Sequence, residues 1–153
     1  MVFSFIGMSV VIFISFRTFV PAVAVVLSAF ADMAMTAATM NIVGIPLSLG
    51  TVAALLMLIG YSVDSDILLT NRVLKRQGKL NEKLSGAFHT GFIMTSTTLA
   101  AATTMFVVSW LGSVQILMDI SAVLLIGLVF DMLNTWLTNV GILKWYVLKG
   151  GGK

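Results

Sequence analysis

The sequence contains no cysteine, which excludes disulfides and thiolate chemistry and leaves the redox compartment unmarked. Its single histidine rules out a zinc site built from several His or Cys ligands. Charge is also scarce: Asp, Glu, Lys and Arg make up 10% of 153 residues, where a soluble domain carries about 25%. So little polar surface does not cover a water-exposed globule. With 59% hydrophobic residues and a mean hydropathy of +1.07, lipid is the expected solvent and the fold class is all-α membrane protein.

What is present is a series of apolar runs. They lie at about 2–16, 19–40, 49–71, 90–111 and 116–143, giving five expected spans. The first is short against the roughly 20 residues a span requires. A signal peptide is the alternative reading, but no basic residue precedes the run and Arg17 follows it. It reads instead as the end of a spanning helix whose beginning is missing. Pro21 sits in the first turn of the second run, where its absent N–H costs little. "NIVGIP" at 41–46 and "LGSVQ" at 111–115 turn the chain.

The basic residues fall in three places: Arg17; Arg72, Lys75, Arg76, Lys79 and Lys83; and Lys144, Lys149 and Lys153. With five spans all three lie on one side, which the positive-inside bias makes cytoplasmic. The N-terminus then faces outward and the C-terminus faces the cytoplasm. Trp145 and Tyr146 beside Lys144, and Trp110 at the outer end of the fourth run, suit interfacial anchoring. Residues 72–88 form the expected cytoplasmic loop. Leu80, Leu84 and Phe88 recur there at helical spacing, as in a short helix lying on the membrane surface. A solvated basic loop and a partner-docking surface both fit.

Five of the six acidic residues lie in or near the runs: Asp32, Asp64, Asp66, Asp119 and Asp131. An aspartate at the centre of a spanning helix costs about 2.5–3.5 kcal/mol on insertion scales. Such groups face a bundle interior or a wet cavity and mark ion or proton routes. Withdrawal from water also favours the neutral form of a carboxyl group, so it can exchange a proton without any cofactor. Asp119, near a helix start, reads as a structural complement to the positive helix end. Asp131 is followed by Asn134, Thr135 and Thr138 at helical spacing, a stripe that either lines a water path or bonds helices together.

Asp64 and Asp66, two residues apart, project about 200° from one another on a helix. One is expected to face the bundle centre and the other a second partner or the water boundary. Gly60 shares a face with Asp64 and is expected to admit a neighbouring helix; Ser62 shares a face with Asp66. Gly91, Thr95, Thr98 and Ala102 form a small, hydroxyl-bearing stripe on the fourth run, suited to tight packing or to a relay serving the aspartates. His89 reads as a boundary residue. Arg17 and Arg72 lie at run ends and can snorkel. Either the buried aspartates are largely protonated, or a partner chain supplies compensating groups.

Residues 45–75, "IPLSLGTVAALLMLIGYSVDSDILLTNRVLK", resemble the signature span of SecF in the SecD/SecF family of protein-export membrane proteins. Gly60, Tyr61, Ser62 and Arg72 match the bacterial form of that motif. Its acidic position falls on Ser65, flanked by Asp64 and Asp66, and Asn71 stands where bacterial members carry Asp before Arg. Asp32 matches the Asp of a His-Asp pair in the preceding span, with Ala31 replacing the His. "MTSTT" at 94–98 resembles the Thr/Ser-rich next span; the Arg of bacterial members falls on Gly91. Gly127 matches a last-span glycine. The departures resemble the archaeal branch.

The resemblance implies five helices of a six-helix bundle of the resistance-nodulation-division (RND) type, with the first helix and an extracytoplasmic domain absent. It implies an accessory subunit of the Sec translocase, partnered by a SecD-like subunit, a SecYE-type channel and the translocating polypeptide in the lipid bilayer. The proton gradient would be coupled to export through the intramembrane carboxylates Asp64, Asp66, Asp32 and Asp131. A structural scaffold of the same complex and an RND-type small-solute transporter half are the alternatives. No nucleophile–base pair or metal cluster is visible, so an enzyme is not expected; nor is a cofactor, a metal or a nucleic-acid partner.

Overall fold

The computed structural model describes residues 2–16, 19–75 and 80–149. The described residues form helices α1 (Val2–Phe16), α2 (Phe19–Val43), α3 (Leu49–Lys75), α4 (Leu80–Leu111), α5 (Gln115–Asn134), a π-helical turn (Thr135–Asn139) and α6 (Val140–Leu148). Four segments are long and apolar enough to cross a membrane: Phe19–Val43, Leu49–Val73, Leu84–Leu111 and Gln115–Ile142. At about 1.5 Å per residue, the 15 residues of α1 reach only about 22 Å, short of the roughly 30 Å of hydrocarbon.

Local chemistry ends and starts these helices. Gly44, at φ +81°, closes α2, and the amides of Gly44 and Ile45 both donate to the Met40 carbonyl. That is the left-handed cap glycine permits. Pro46 follows and blocks continuation. At the start of α3 the Ser48 amide donates to Thr51 Oγ1 and the Thr51 amide to Ser48 Oγ, a reciprocal cap.

The outside of the bundle is apolar. Phe3, Ile42, Leu49 and Leu137 are among its exposed large side chains, the surface a hydrocarbon solvent favours. Inside, α5 packs against α2, α3 and α4, while α1 leans mainly on α2. One apolar cluster joins Ile12, Val25, Ala29, Ile59 and Val63. A second joins Leu55, Ala102, Val123 and Leu128, and a third joins Leu69, Val73 and Ala87 with Trp136 and Val140 packed on it. Leu58 presses on Gly127, where even an added Cβ would overlap its side chain. This close crossing brings α3 and α5 together about two helical turns before Asp66 and one before Asp131.

Several expectations change. Most of 72–88 is helical, because α3 runs to Lys75 and α4 begins at Leu80. Ala87 is buried and Leu84 packs beside Trp136 and Val140. Leu84 is thus part of the first turns of α4 and packs on the bundle, while Phe88 is exposed and meets Trp136 edge-on. The fifth run is not one regular helix, since the π-turn interrupts it at Thr135. Gly60 meets no atom within 4 Å of an added Cβ and lines a cleft shared with Ser4 and Met8 of α1, so no close helix contact forms on it among the described residues. Arg17, Arg76, Lys79 and Lys153 lie outside the described residues.

Candidate functional site

The site grows from three helices that each place one carboxylate inward. Asp32 on α2, Asp66 on α3 and Asp131 on α5 are 1%, 0% and 1% exposed. On α3 the interior positions Ser62, Asp66 and Thr70 repeat every four residues, one per turn. Asp66 takes the inward face and Asp64, about 200° away, is exposed.

Asp32 is held from two sides. Ser62 Oγ donates to its Oδ2 at 2.7 Å, and Asn134 Nδ2 donates to its Oδ1 at 3.0 Å. The same Asn134 nitrogen reaches the Ser28 carbonyl at 3.0 Å and Ser28 Oγ at 3.1 Å. Thr36 Oγ1 donates to the backbone carbonyl of Asp32 at 2.6 Å. Asp66 accepts from Thr135 Oγ1 at 2.9 Å on its Oδ1. Asp131 Oδ1 lies 3.5 Å from that same Thr135 hydroxyl, and Asp131 is in electrostatic contact with both other carboxyl groups. One connected polar centre therefore spans α2, α3 and α5 between layers of apolar packing.

The remaining sequence candidates lie around this centre. Tyr61 and Gly60 are on the exposed face of α3, with Asp64. Ser65, at the motif's acidic position, is buried beside Asp66. Arg72 turns its Nη1 to the Gly86 carbonyl at 2.6 Å, tying the end of α3 to the start of α4. Thr70 Oγ1 and Asn71 Oδ1 are buried at that end, with no hydrogen-bond partner among the described residues. Thr95 is buried and Thr98 half-buried; Thr98 Oγ1 donates to the Met94 carbonyl of its own helix at 3.0 Å.

Gly91 lies beneath the Trp136 indole, where an added Cβ would sit 2.8 Å from Cζ2. An indole thus fills the space over the position where bacterial members carry Arg. Asp119 Oδ1 accepts from Gln115 Nε2 at 2.8 Å, a side-chain bond across the first turn of α5 rather than a cap on its amides. His89 is exposed. Lys149 Nζ lies 4.4 Å from the Trp145 ring centroid, while the side chain of Tyr146 lies outside the described residues.

Asn134, Thr135, Ser28 and Thr36 complete the centre without having been singled out as site residues. Asn134 and Thr135 had a signal, their helical spacing from Asp131; Thr138 shares that spacing yet is exposed, because the π-turn intervenes. Ser28 had none, since its partner lies 106 positions away. Among the described residues no three His, Cys, Asp or Glu side chains are placed to hold a metal ion. The centre can exchange or share protons among carboxyl groups and hydroxyls, and it can lock helices together.

Comparison with known proteins supplies the family. The family model for protein export membrane protein SecD/SecF, C-terminal, matches residues 1–149. The chain is 64% identical over 151 residues to the protein-export membrane protein SecF of Methanolacinia petrolearia, covering 99% of this chain and 54% of that protein. It is 54% identical to the SecF of Haloferax volcanii, over 96% of this chain and 51% of that protein. Identity to the SecF of Methanocaldococcus jannaschii is 47%, over 95% of this chain and 52% of that protein. The chain thus spans about half the length of these archaeal relatives. No solved structure matches it. The chain belongs to the SecD/SecF family of protein-export membrane proteins, as a multi-pass, all-α member of the archaeal SecF type.

Proposed function

We propose that this chain is the membrane part of a non-enzymatic accessory subunit of the Sec protein translocase, which works with a SecD-like subunit and a SecYE-type channel on a translocating polypeptide. It sits in the cytoplasmic membrane with its basic helix ends inside. Proton movement through Asp32, Asp66 and Asp131 is coupled to export. The observation that carries this reading is the convergence of three fully buried carboxyl groups from three helices on one polar centre. Neighbouring carboxyl groups in a low-dielectric interior share a proton more readily than they carry a charge each. A change in their protonation alters which of Ser62, Asn134 and Thr135 each can accept from, and hence how α2, α3 and α5 are tied.

The test uses the full-length protein with Asp32→Asn, Asp66→Asn and Asp131→Asn, singly and together. Export of a secreted reporter is expected to fall in each variant while co-purification with the SecD-like subunit persists. Undiminished export in the triple variant would refute the coupling.

A second reading is favoured by the bonds of Asn134 to Ser28, which join α2 to α5 whatever the protonation of the carboxyl groups. In it the carboxylates only scaffold the complex. The same variants would then lower assembly with the SecD-like subunit in step with export.

A further inference from the structure

A threonine inside a spanning helix commonly satisfies its hydroxyl at home, on the carbonyl one turn back. Thr36, Thr39, Thr98 and Thr103 all do so, donating to the carbonyls of Asp32, Met35, Met94 and Leu99. Thr135 does not follow them. Its hydroxyl leaves its own helix and donates to Asp66 Oδ1 on α3 at 2.9 Å, with Asp131 Oδ1 3.5 Å away on the preceding turn. Thr135 is 2% exposed, so bulk water does not compete for either carboxyl group there. A hydroxyl carries one proton and two lone pairs. It can therefore give a proton to one neighbour while taking one from the other.

The π-turn holds that hydroxyl in place. Thr135 is its first residue, and the Thr135 carbonyl accepts from the Val140 amide five residues on. Next in sequence, the Trp136 indole covers Gly91 and meets Phe88 edge-on at 4.7 Å, which pins the turn against α4. The backbone is fixed while the hydroxyl proton still turns about the Cβ–Oγ bond. The separation from Asp66 is that of an ordinary hydrogen bond. The separation from Asp131 exceeds the usual O–H···O distance of about 2.8 Å by about 0.7 Å. Closing that gap is within the reach of a side-chain rotation. Until it closes, Thr135 bonds one carboxyl group and not the other.

Given the proton coupling proposed above, on which this role rests, we infer that Thr135 is the relay between Asp131 and Asp66, its hydroxyl handing one proton on as it receives another. The O–H bond of a protonated Asp131 breaks and its proton joins Thr135 Oγ1. In concert the Thr135 O–H bond breaks and that proton joins the Asp66 carboxylate. Asp131 ends as the carboxylate, Asp66 as the acid, and the threonine as neutral as it began. The two transfers occur together because a charged threonine has no compensating partner in so dry a place.

The test uses the full-length protein, assembled with its SecD-like subunit in proteoliposomes, and reads proton flux under an imposed pH gradient with a pH-sensitive dye. Flux is counted per assembled complex, which removes any fraction of a variant that fails to fold. Thr135→Val keeps the shape and lacks the hydroxyl; it is expected to lower flux by about tenfold or more. Thr135→Ser keeps the hydroxyl and loses a methyl group; it is expected to retain most of the flux. A packing role predicts the opposite ranking, since valine fills the space better than serine. Flux that is higher in Thr135→Val than in Thr135→Ser, or equally low in both, overturns the relay. So does undiminished flux in Thr135→Val while Asp66→Asn and Asp131→Asn abolish it. If flux survives in those two carboxyl variants as well, the coupling itself falls and the relay with it. The unaltered protein gives a further check that needs no variant. Its flux, plotted against the deuterium fraction of the solvent, is expected to bow because two protons move at once, and a straight or flat line overturns the concerted step.

Discussion

Asn134 is the residue through which α2 and α5 are joined. Its single amide nitrogen serves Ser28 twice and Asp32 once, all inside the bundle. Asn134→Ala removes that donor and leaves one oxygen of Asp32 without it. Stranding a buried acceptor costs about 1–3 kcal/mol, more where it is charged. The expected result is a lower midpoint of thermal unfolding in detergent. Asp32→Asn in the Asn134→Ala background should add less than it costs alone, because the two side chains share one interaction. Additive losses would mean that they do not act through each other. At this scale the sequence was partly legible. The 200° between Asp64 and Asp66 requires one in and one out, since a helix turns 100° per residue. Which one points in depends on contacts such as that from Thr135, 69 positions from Asp66, and no local pattern carries those.

The π-turn over Thr135–Asn139 shows how an element can hide in composition. Its sequence, TWLTN, fits a regular helix as well, so the fifth run reads as unbroken. The wider turn places adjacent residues on different tasks: Thr135 donates to Asp66, and Trp136 covers Gly91 and meets Phe88 edge-on at 4.7 Å. Such turns within helices gather at functional sites. Thr138, one turn on, is carried out of the polar stripe. The connection after α2 was more readable, since the glycine and proline of "NIVGIP" mark it, whereas the Ser48–Thr51 cap that starts α3 emerged only in the structure. The α3–α5 crossing yields the prediction at this scale. Gly127→Ala drives a methyl group into Leu58, itself 1% exposed and unable to swing into open space. Overpacking of this kind costs about 1–3 kcal/mol. The measurement is again thermal unfolding in detergent, and the Gly127→Ala, Leu58→Ala double variant should lose less than the sum of the two single variants. Fully additive losses would mean that the strain lies elsewhere.

For the whole molecule the open quantity is direction across the membrane. The basic residues cluster at alternate helix ends, after α1, between α3 and α4 and after α5, while the α2–α3 and α4–α5 connections carry no charge. If the Lys- and Arg-rich ends are held on the cytoplasmic side, both short connections are expected outside. The absence of cysteine makes this directly measurable, because any introduced thiol is the only one in this segment. Leu47, exposed in the α2–α3 connection, and Ser85, exposed near the start of α4, mark the two sides. With a membrane-impermeant thiol reagent added to intact cells, Leu47→Cys should react and Ser85→Cys should react only after the membrane is opened. The reverse pattern would invert the molecule. The answer bears on the buried centre as well. Thr70, Asn71 and Arg72 lie below Asp66 toward the basic end, and two of them hold buried oxygens without a partner among the described residues. In the expected orientation that end faces the cytoplasm. Protons leaving Asp66 by that side would then run inward, down the gradient that an energised membrane maintains.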